Sequence, residues 1–215
     1  MTEQSIDLKQ LERKVWKSFF EDGIWDIYLG LLLMAMAIGT LLSDSGASQA
    51  TQGIVYLSLV GVASLFLWLG KHFITVPLIG HVKFGSEGKT RKRKTVVVLA
   101  ASVLVGLIAF SVAALSVKGS MARAIPMDLF LPAIWVGNML IVFSLAAHFL
   151  RFNRLYLIGA LFAVAIPLDI VLKELLHRDL TFVAFGVPAL VILIMGGIVL
   201  TRFLRKYSRP TEEAV

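Results

Sequence analysis

Two aspartates lie at the start of a long apolar run, within residues 21–26 (EDGIWD). Asp22 and Asp26 are four residues apart, so on a helix both carboxylates would share one face. Acidic groups at a helix N-terminus are favoured by the unpaired backbone amides, which is a structural reason for this pattern. Asp26, however, lies inside the apolar boundary, where an ionisable side chain is costly. Two interpretations stay open: capping or pairing with basic residues such as Arg151 and Arg154, and a site for a proton, a cation or a lipid headgroup.

Three further polar residues are candidates for a substrate or ion path, because they lie within or beside apolar runs. They are Asp128, Asn138 and Asp169. Asn138 is expected near mid-membrane, where a hydrogen bond to a neighbouring helix is the simpler interpretation. Asp169 follows Pro167, and a proline there would kink a helix and free backbone carbonyls, as in the broken helices of transporters.

Histidines raise the question of a metal or haem site. His72 and His148 are expected at the cytoplasmic ends of apolar runs, where they and the acidic pair would form a candidate metal site. No H-E-x-x-H or H-x-x-x-H spacing supports a metal, and bis-histidine haem would need a facing pair inside the bundle. Histidines at a membrane interface are commonly amphipathic belt residues, so no cofactor is predicted.

Motifs of common catalytic sites are not found in the sequence. The chain contains no cysteine, which excludes thiol chemistry. It also has no G-x-S-x-G elbow, Walker A loop or dinucleotide fingerprint. No catalytic residue is therefore assigned, and an enzyme is the least supported class.

Six apolar runs would position these side chains. Of the 215 residues, 58% are hydrophobic and 16% charged, against about 25% charged in an average globular protein. This composition excludes a soluble enzyme, a disulfide scaffold and a disordered chain. Each run is long enough to cross a hydrocarbon core of about 30 Å and is apolar on every face, unlike a barrel strand. We therefore expect an all-α integral membrane protein, a bundle of six transmembrane helices at 24–42, 53–70, 95–116, 127–148, 155–172 and 182–203.

The segments outside these runs complete the predicted organisation. A cytoplasmic segment at 1–23 precedes a six-helix domain at 24–204, which contains a cytoplasmic loop at 71–94, and a cytoplasmic tail follows at 205–215. Hydrophobic residues at helical spacing near the N-terminus predict an amphipathic helix in the membrane interface, with a partner-binding helix as the alternative. They are Leu8, Leu11, Val15 and Phe19.

An internal repeat is a further hypothesis. Residues 27–38 and 155–166 align without gaps, which suggests three pseudo-repeated hairpins. The alternative is that apolar helices with aromatic and basic ends resemble one another in any case.

Basic residues predict the orientation of the chain. Of its 21 Lys and Arg residues, 17 fall on one side of the predicted spans, so the positive-inside rule places both termini in the cytoplasm. Basic clusters beside a span also attract anionic lipid. Nucleic acid is not an expected partner, since no suitable fold or aromatic platform accompanies the charge. The candidates for binding lipid headgroups are Arg91, Lys92, Arg93, Lys94, Arg151 and Arg154.

Two segments carry a resemblance to a known family. FEDGIWDIYLG, and VPLIGHVKFG followed by a basic run, resemble the pattern of a family of small multi-pass bacterial inner-membrane proteins. The resemblance covers about residues 19–94. It implies a bacterial cytoplasmic membrane and no particular activity.

Three functional classes follow. The first is a transporter, a channel-like protein or a lipid-handling protein. The second is a non-catalytic assembly or scaffold component that binds a protein partner, and the third is an intramembrane metal-dependent enzyme. Because nearly all ionisable residues lie close to an interface, an ion-coupled pump is not expected. The expected partners are the lipid bilayer and anionic lipid headgroups, and small residues spaced four apart permit a homo-oligomer.

Overall fold

The regular structure of the chain is helical throughout the part that the computed structural model describes, which is residues 20–79, 86–118 and 127–207. The predicted interfacial helix and the cytoplasmic tail lie mostly outside these residues. The long helices are α1 (Ile24–Asp44), α2 (Gln49–Gly70), α3 (Ser86–Lys118), α4 (Met127–Leu150), α5 (Arg154–Leu176) and α6 (Thr181–Lys206).

Five helices of the described residues are long and apolar enough to cross a membrane, which confirms an all-α chain with several membrane-spanning helices. They are α1, α2 together with its continuation to Leu78, α4 from Leu129 onwards, α5 and α6. Helix α3 runs through the predicted third span, but its crossing of the membrane, and with it the count of six spans, stays a prediction. The hairpin repeat and the orientation also stay predictions.

The connector expected at 71–94 is helical at both of its ends. A π-helix at Lys71–Thr75 and a helical turn at Val76–Ile79 continue α2, and α3 begins at Ser86. In the π-helix the amide of Val76 donates to the carbonyl of Lys71, five residues back. Pro77 follows directly and has no N–H to donate, so it would interrupt the hydrogen bonds of a regular α-helix. The π-helical turn lies at this interruption.

The first and last helices lie side by side in the bundle. Helix α1 packs against α2 and α6, α6 packs against α5, α5 against α4, and α4 against α3. The spatial order is therefore α2, α1, α6, α5, α4, α3. The buried core comes from the four inner helices and includes Leu33, Ala37, Ile158, Phe162 and Ile192.

Two interhelical turns share the same geometry. After α1, the amides of Gly46 and Ala47 donate back to the last turn of the helix, and after α4 the amides of Arg151 and Phe152 do the same. Gly46 and Arg151 both have positive φ, at 75° and 55°, as the Schellman motif requires. Arg151, a predicted headgroup residue, thus closes the turn between α4 and α5 with its backbone, and its side chain is exposed.

Gly23 lies at the closest approach between the turn before α1 and helix α6. Its φ is +78°, and a Cβ atom built there would be 2.5 Å from the carbonyl oxygen of Gly196 and 2.8 Å from the amide nitrogen of Leu200. Gly196 in turn leaves no room for a Cβ, which would be 2.9 Å from the amide nitrogen of Ile27. The two glycines therefore allow the start of α1 and the end of α6 to touch through their backbones.

We expect Gly23→Ala to destabilise the protein by about 2 kcal/mol or more, because alanine disfavours the left-handed conformation and its Cβ would overlap the backbone of α6. Thermal unfolding of the purified protein in detergent measures the effect. Gly39→Ala is the control, since a Cβ at Gly39 would meet no atom within 4 Å. Equal unfolding temperatures for the two variants would contradict the close approach.

Candidate functional site

Both aspartates of the EDGIWD segment are fully buried, each with an exposed fraction of 0%. They lie at the end of the bundle where α1 and α5 begin and where α2, α4 and α6 end, called here the Asp22 end. The expectation that both share one helix face is not met, because Asp22 lies in a turn and α1 begins only at Ile24. The left-handed Gly23 separates Asp22 from the helix and directs it towards α2.

Asp22 is bound from two directions. Its Oδ1 accepts a hydrogen bond from the amide of Ile24 at 3.1 Å, which satisfies one free donor of the first turn of α1. Its Oδ2 accepts from Nζ of Lys71 at 2.6 Å and from Oγ1 of Thr75 at 2.5 Å. The sequence analysis treats capping and ion pairing as one interpretation, and Asp22 does both. Its cation is Lys71, from the continuation of α2, and not Arg151 or Arg154.

The π-helix supplies the partners of Asp22. Lys71 and Thr75 are its first and last residues, and both reach the same carboxylate oxygen. Thr75 is 1% exposed, and the ammonium of Lys71 also lies 6.0 Å from the ring centroid of Trp25. From the sequence, Lys71 was counted only among the basic residues that predict orientation, and Thr75 was given no role. The available signal was a lysine at the boundary of an apolar run, one turn before a threonine.

Asp26 pairs with Arg154, as one of the two interpretations of the sequence predicts. Nε of Arg154 lies 2.9 Å from Oδ2 of Asp26, and Nη2 of Arg154 donates to the carbonyl of Phe20 at 2.9 Å. The Nε–H is not aligned with the carboxylate, so within the described residues neither oxygen of Asp26 has a hydrogen-bond donor. The Asp26–Arg154 pair is therefore held by charge, and it ties the turn before α1 to the start of α5.

A cavity of about 210 Å³ lies beside this ion pair. Arg154 is shared by the two, and Glu21 and the end of α6 supply the rest of the wall. Arg202 and Lys206 are four residues apart and share one face of α6. Cations at a helix C-terminus are also favoured by the helix dipole, which gives them a structural role as well. The residues that line the cavity are Glu21, Arg154, Val199, Arg202, Phe203, Lys206 and Tyr207.

The other acid and amide candidates are not brought to this site. Asp169 is 15 residues beyond Arg154 on α5, about 22 Å along the helix, and pairs with Lys173 at 3.0 Å. Asn138 is half-buried within α4. Asp128 belongs to the first turn of α4, and its side chain lies outside what the structure describes. Of the five path candidates, Asp22 and Asp26 are thus the two that the structure shows at the Asp22 end.

The histidine candidates have aromatic neighbours. His72 is exposed and stacks on Trp68, with ring centroids 5.4 Å apart. His148 is exposed and meets the edge of Phe149 at 5.6 Å. Across residues 20–79, 86–118 and 127–207, no group of three His, Cys, Asp or Glu side chains is placed to hold a metal ion. The assignment of both histidines to an interfacial belt stays a prediction.

The basic cluster before the third apolar run belongs to helix α3. Arg93 and Lys94 are exposed there, and the ammonium of Lys94 lies 5.7 Å from the ring centroid of Phe149. This contact places the start of the apolar part of α3 next to the end of α4. The side chains of Arg91 and Lys92 lie outside what the structure describes.

We expect Lys71→Met to destabilise the protein by about 3–5 kcal/mol, because it removes the cation 2.6 Å from a fully buried carboxylate. The double variant Asp22→Asn/Lys71→Met should recover most of this loss, since asparagine is neutral, its Oδ1 can still accept from the amide of Ile24, and its Nδ2 can donate to Oγ1 of Thr75. Thermal unfolding in detergent compares the two. A double variant no more stable than Lys71→Met would show that the carboxylate charge is not the source of the loss.

The chemistry of the Asp22 end has to be interpreted from its own residues. No protein-family model, no curated protein and no solved structure matches this chain. The features on which a function can rest are the two buried ion pairs and the basic cavity that shares Arg154 with one of them.

Proposed function

We propose that the chain is a six-span protein of the bacterial inner membrane with a lipid-handling role, and that its basic cavity binds the headgroup of an anionic phospholipid at the cytoplasmic surface. The observation that supports this most is the placement of three cations around a cavity of about 210 Å³ at one end of an apolar bundle. Arg154, Arg202 and Lys206 are those cations.

The donor set of the cavity suits a phosphate group. An arginine guanidinium presents planar N–H donors that match two phosphate oxygens at once, and a lysine ammonium adds a point charge. Phe203 and Tyr207 give the same cavity an aromatic wall, against which the glycerol and the first methylenes of a lipid can pack. The ends of spanning helices lie at headgroup depth, so the ligand and the cations would meet at the same level of the membrane.

The buried interior favours lipid handling over conduction. Of the described residues, the buried polar or charged ones are Asp22, Asp26, Thr75 and Thr95. Asp22, Asp26 and Thr75 meet at the Asp22 end, and Thr95 directly follows Lys94 at the start of the apolar part of α3. An ion path needs polar groups through the depth of the membrane, whereas the core of the four inner helices is apolar.

The third span and the orientation are part of the same proposal. Helix α3 has 33 residues, about 50 Å at 1.5 Å per residue, which is more than enough to cross. It packs along α4, as a neighbouring span would. With six spans both termini would fall on the same side, and the basic residues near the Asp22 end support a cytoplasmic location for that side by the positive-inside rule.

Single cysteines test the topology, because the natural chain has none. We expect a cysteine at Ser45 to react with an impermeant maleimide added to intact cells. A cysteine at Ser86 should react only after the membrane is permeabilised. Labelling of both positions from outside would contradict six spans with a cytoplasmic Asp22 end.

Binding of a short-chain phosphatidylglycerol to the detergent-purified protein tests the headgroup site. We expect Arg202→Gln and Lys206→Gln each to weaken binding about fivefold, which corresponds to about 1 kcal/mol for each cation near a headgroup. Titration calorimetry measures the affinity, and it should fall as salt is raised.

The control for this experiment is Arg178→Gln, which removes a cation from the turn between α5 and α6 at the opposite end. Its affinity should equal that of the wild type. Short-chain phosphatidylcholine, which has the same phosphodiester but no net charge, should bind more weakly than phosphatidylglycerol. Equal affinities of the wild type for the two lipids, or of all three variants for phosphatidylglycerol, would contradict the proposed site.

A further inference from the structure

We propose that Asp26 limits the affinity of the cavity, because it competes with the bound phosphate for Arg154. This inference rests on the proposed headgroup site and adds a residue that does not line the cavity. Asp26 would act as an internal anion that occupies Arg154 when the cavity is empty. A headgroup would then have to share or displace it.

The guanidinium of Arg154 faces two environments at once. It carries five N–H donors in a plane. Its Nε lies towards Asp26, and Nη2 donates one hydrogen to the carbonyl of Phe20. The side chain is 27% exposed and lines the cavity. The guanidinium also lies over the ring of Phe152, with Cζ 5.1 Å from the ring centroid. The N–H groups of Arg154 that bind no other described residue are the ones we assign to the phosphate.

The pair between Asp26 and Arg154 is suited to exchange. The carboxylate is fully buried, and the described residues provide no aligned hydrogen bond to either of its oxygens. Its attraction to Arg154 is therefore electrostatic and does not depend on an aligned hydrogen bond. This contrasts with Asp22, which accepts three hydrogen bonds. A second anion that binds Arg154 would therefore break fewer hydrogen bonds to Asp26 than an anion that binds Lys71 would break to Asp22.

Two anions on one cation repel each other, so each weakens the binding of the other. The effect is large where water is scarce, because a charge interaction at a few ångströms is screened less there than in bulk water. By the same coupling, a bound phosphate weakens the hold of Arg154 on Asp26. Since Arg154 also binds the carbonyl of Phe20, occupancy of the cavity would loosen residues 20–26.

The variant Asp26→Asn distinguishes two roles of Asp26: competition with the bound phosphate for Arg154, and support of the fold alone. Asparagine keeps the size of the side chain and an oxygen that can face Nε, but removes the negative charge. If Asp26 competes with the ligand, the variant binds short-chain phosphatidylglycerol about fivefold more tightly, although its unfolding temperature falls because Arg154 loses its counter-ion. If Asp26 only supports the fold, stability and affinity fall together.

The control is Asp169→Asn, which neutralises an acid paired with Lys173 about 22 Å along α5 from Arg154. Its affinity for the lipid should equal that of the wild type, measured by calorimetry on the full-length protein. A wild type that does not prefer phosphatidylglycerol would overturn the headgroup site itself. A wild type that binds, with Asp26→Asn binding equally or more weakly, would overturn the competition alone.

Hydrogen exchange of the wild-type protein gives a second measurement in case Asp26→Asn does not fold. Saturating short-chain phosphatidylglycerol should raise deuterium uptake in the peptide that covers residues 20–26, because Arg154 then holds Asp26 and the carbonyl of Phe20 less tightly. Unchanged or lower uptake in that peptide would overturn the competition, while calorimetry on the same sample reports whether the lipid is bound.

Discussion

Burial of two carboxylates at the end of an apolar bundle is the constraint on which the rest of the Asp22 end depends. A charge removed from water is tolerated only beside an opposite charge or several donors. Asp22 and Asp26 are both fully buried, so each needs a cation from another helix. Lys71 comes from the continuation of α2 and Arg154 from the start of α5. The two acids therefore fix how the first helix sits between its neighbours.

Close backbone contact makes this burial possible. Gly23 and Gly196 bring the turn before α1 against α6 without intervening side chains, which removes water from around Asp22 and Asp26. The left-handed turn at Gly23 also sends Asp22 towards α2 while Asp26 faces α5. A regular helix through residues 21–26 would instead have placed both acids on one face. Local backbone geometry thus divides one acidic pair between two partners.

Local sequence patterns predicted much of the fold and part of the site. Long apolar runs are sufficient to locate spanning helices, because every backbone group in lipid has to be bonded within its own helix. An acid inside an apolar boundary marks Asp26 for the same energetic reason, and Arg154 was named as its possible partner. Lys71 and Thr75 were missed because their meeting with Asp22 depends on a π-helix where the pattern indicated a loop. The cavity was missed because it needs α1 next to α6, and local patterns do not report which helices are neighbours.

The arrangement of charge at the Asp22 end gives one side chain three roles in the structure. Arg154 neutralises a buried acid, holds a backbone carbonyl and lines a basic cavity. Full burial of the guanidinium would add its own desolvation cost to that of Asp26. Arg154 instead keeps part of its surface open beside Arg202 and Lys206. In the proposed orientation this end lies among anionic headgroups, so the exposed part of the guanidinium would have a competing anion within reach. The proposed headgroup site would therefore couple the fold of the first helix to the surrounding lipid through the Asp26–Arg154 pair.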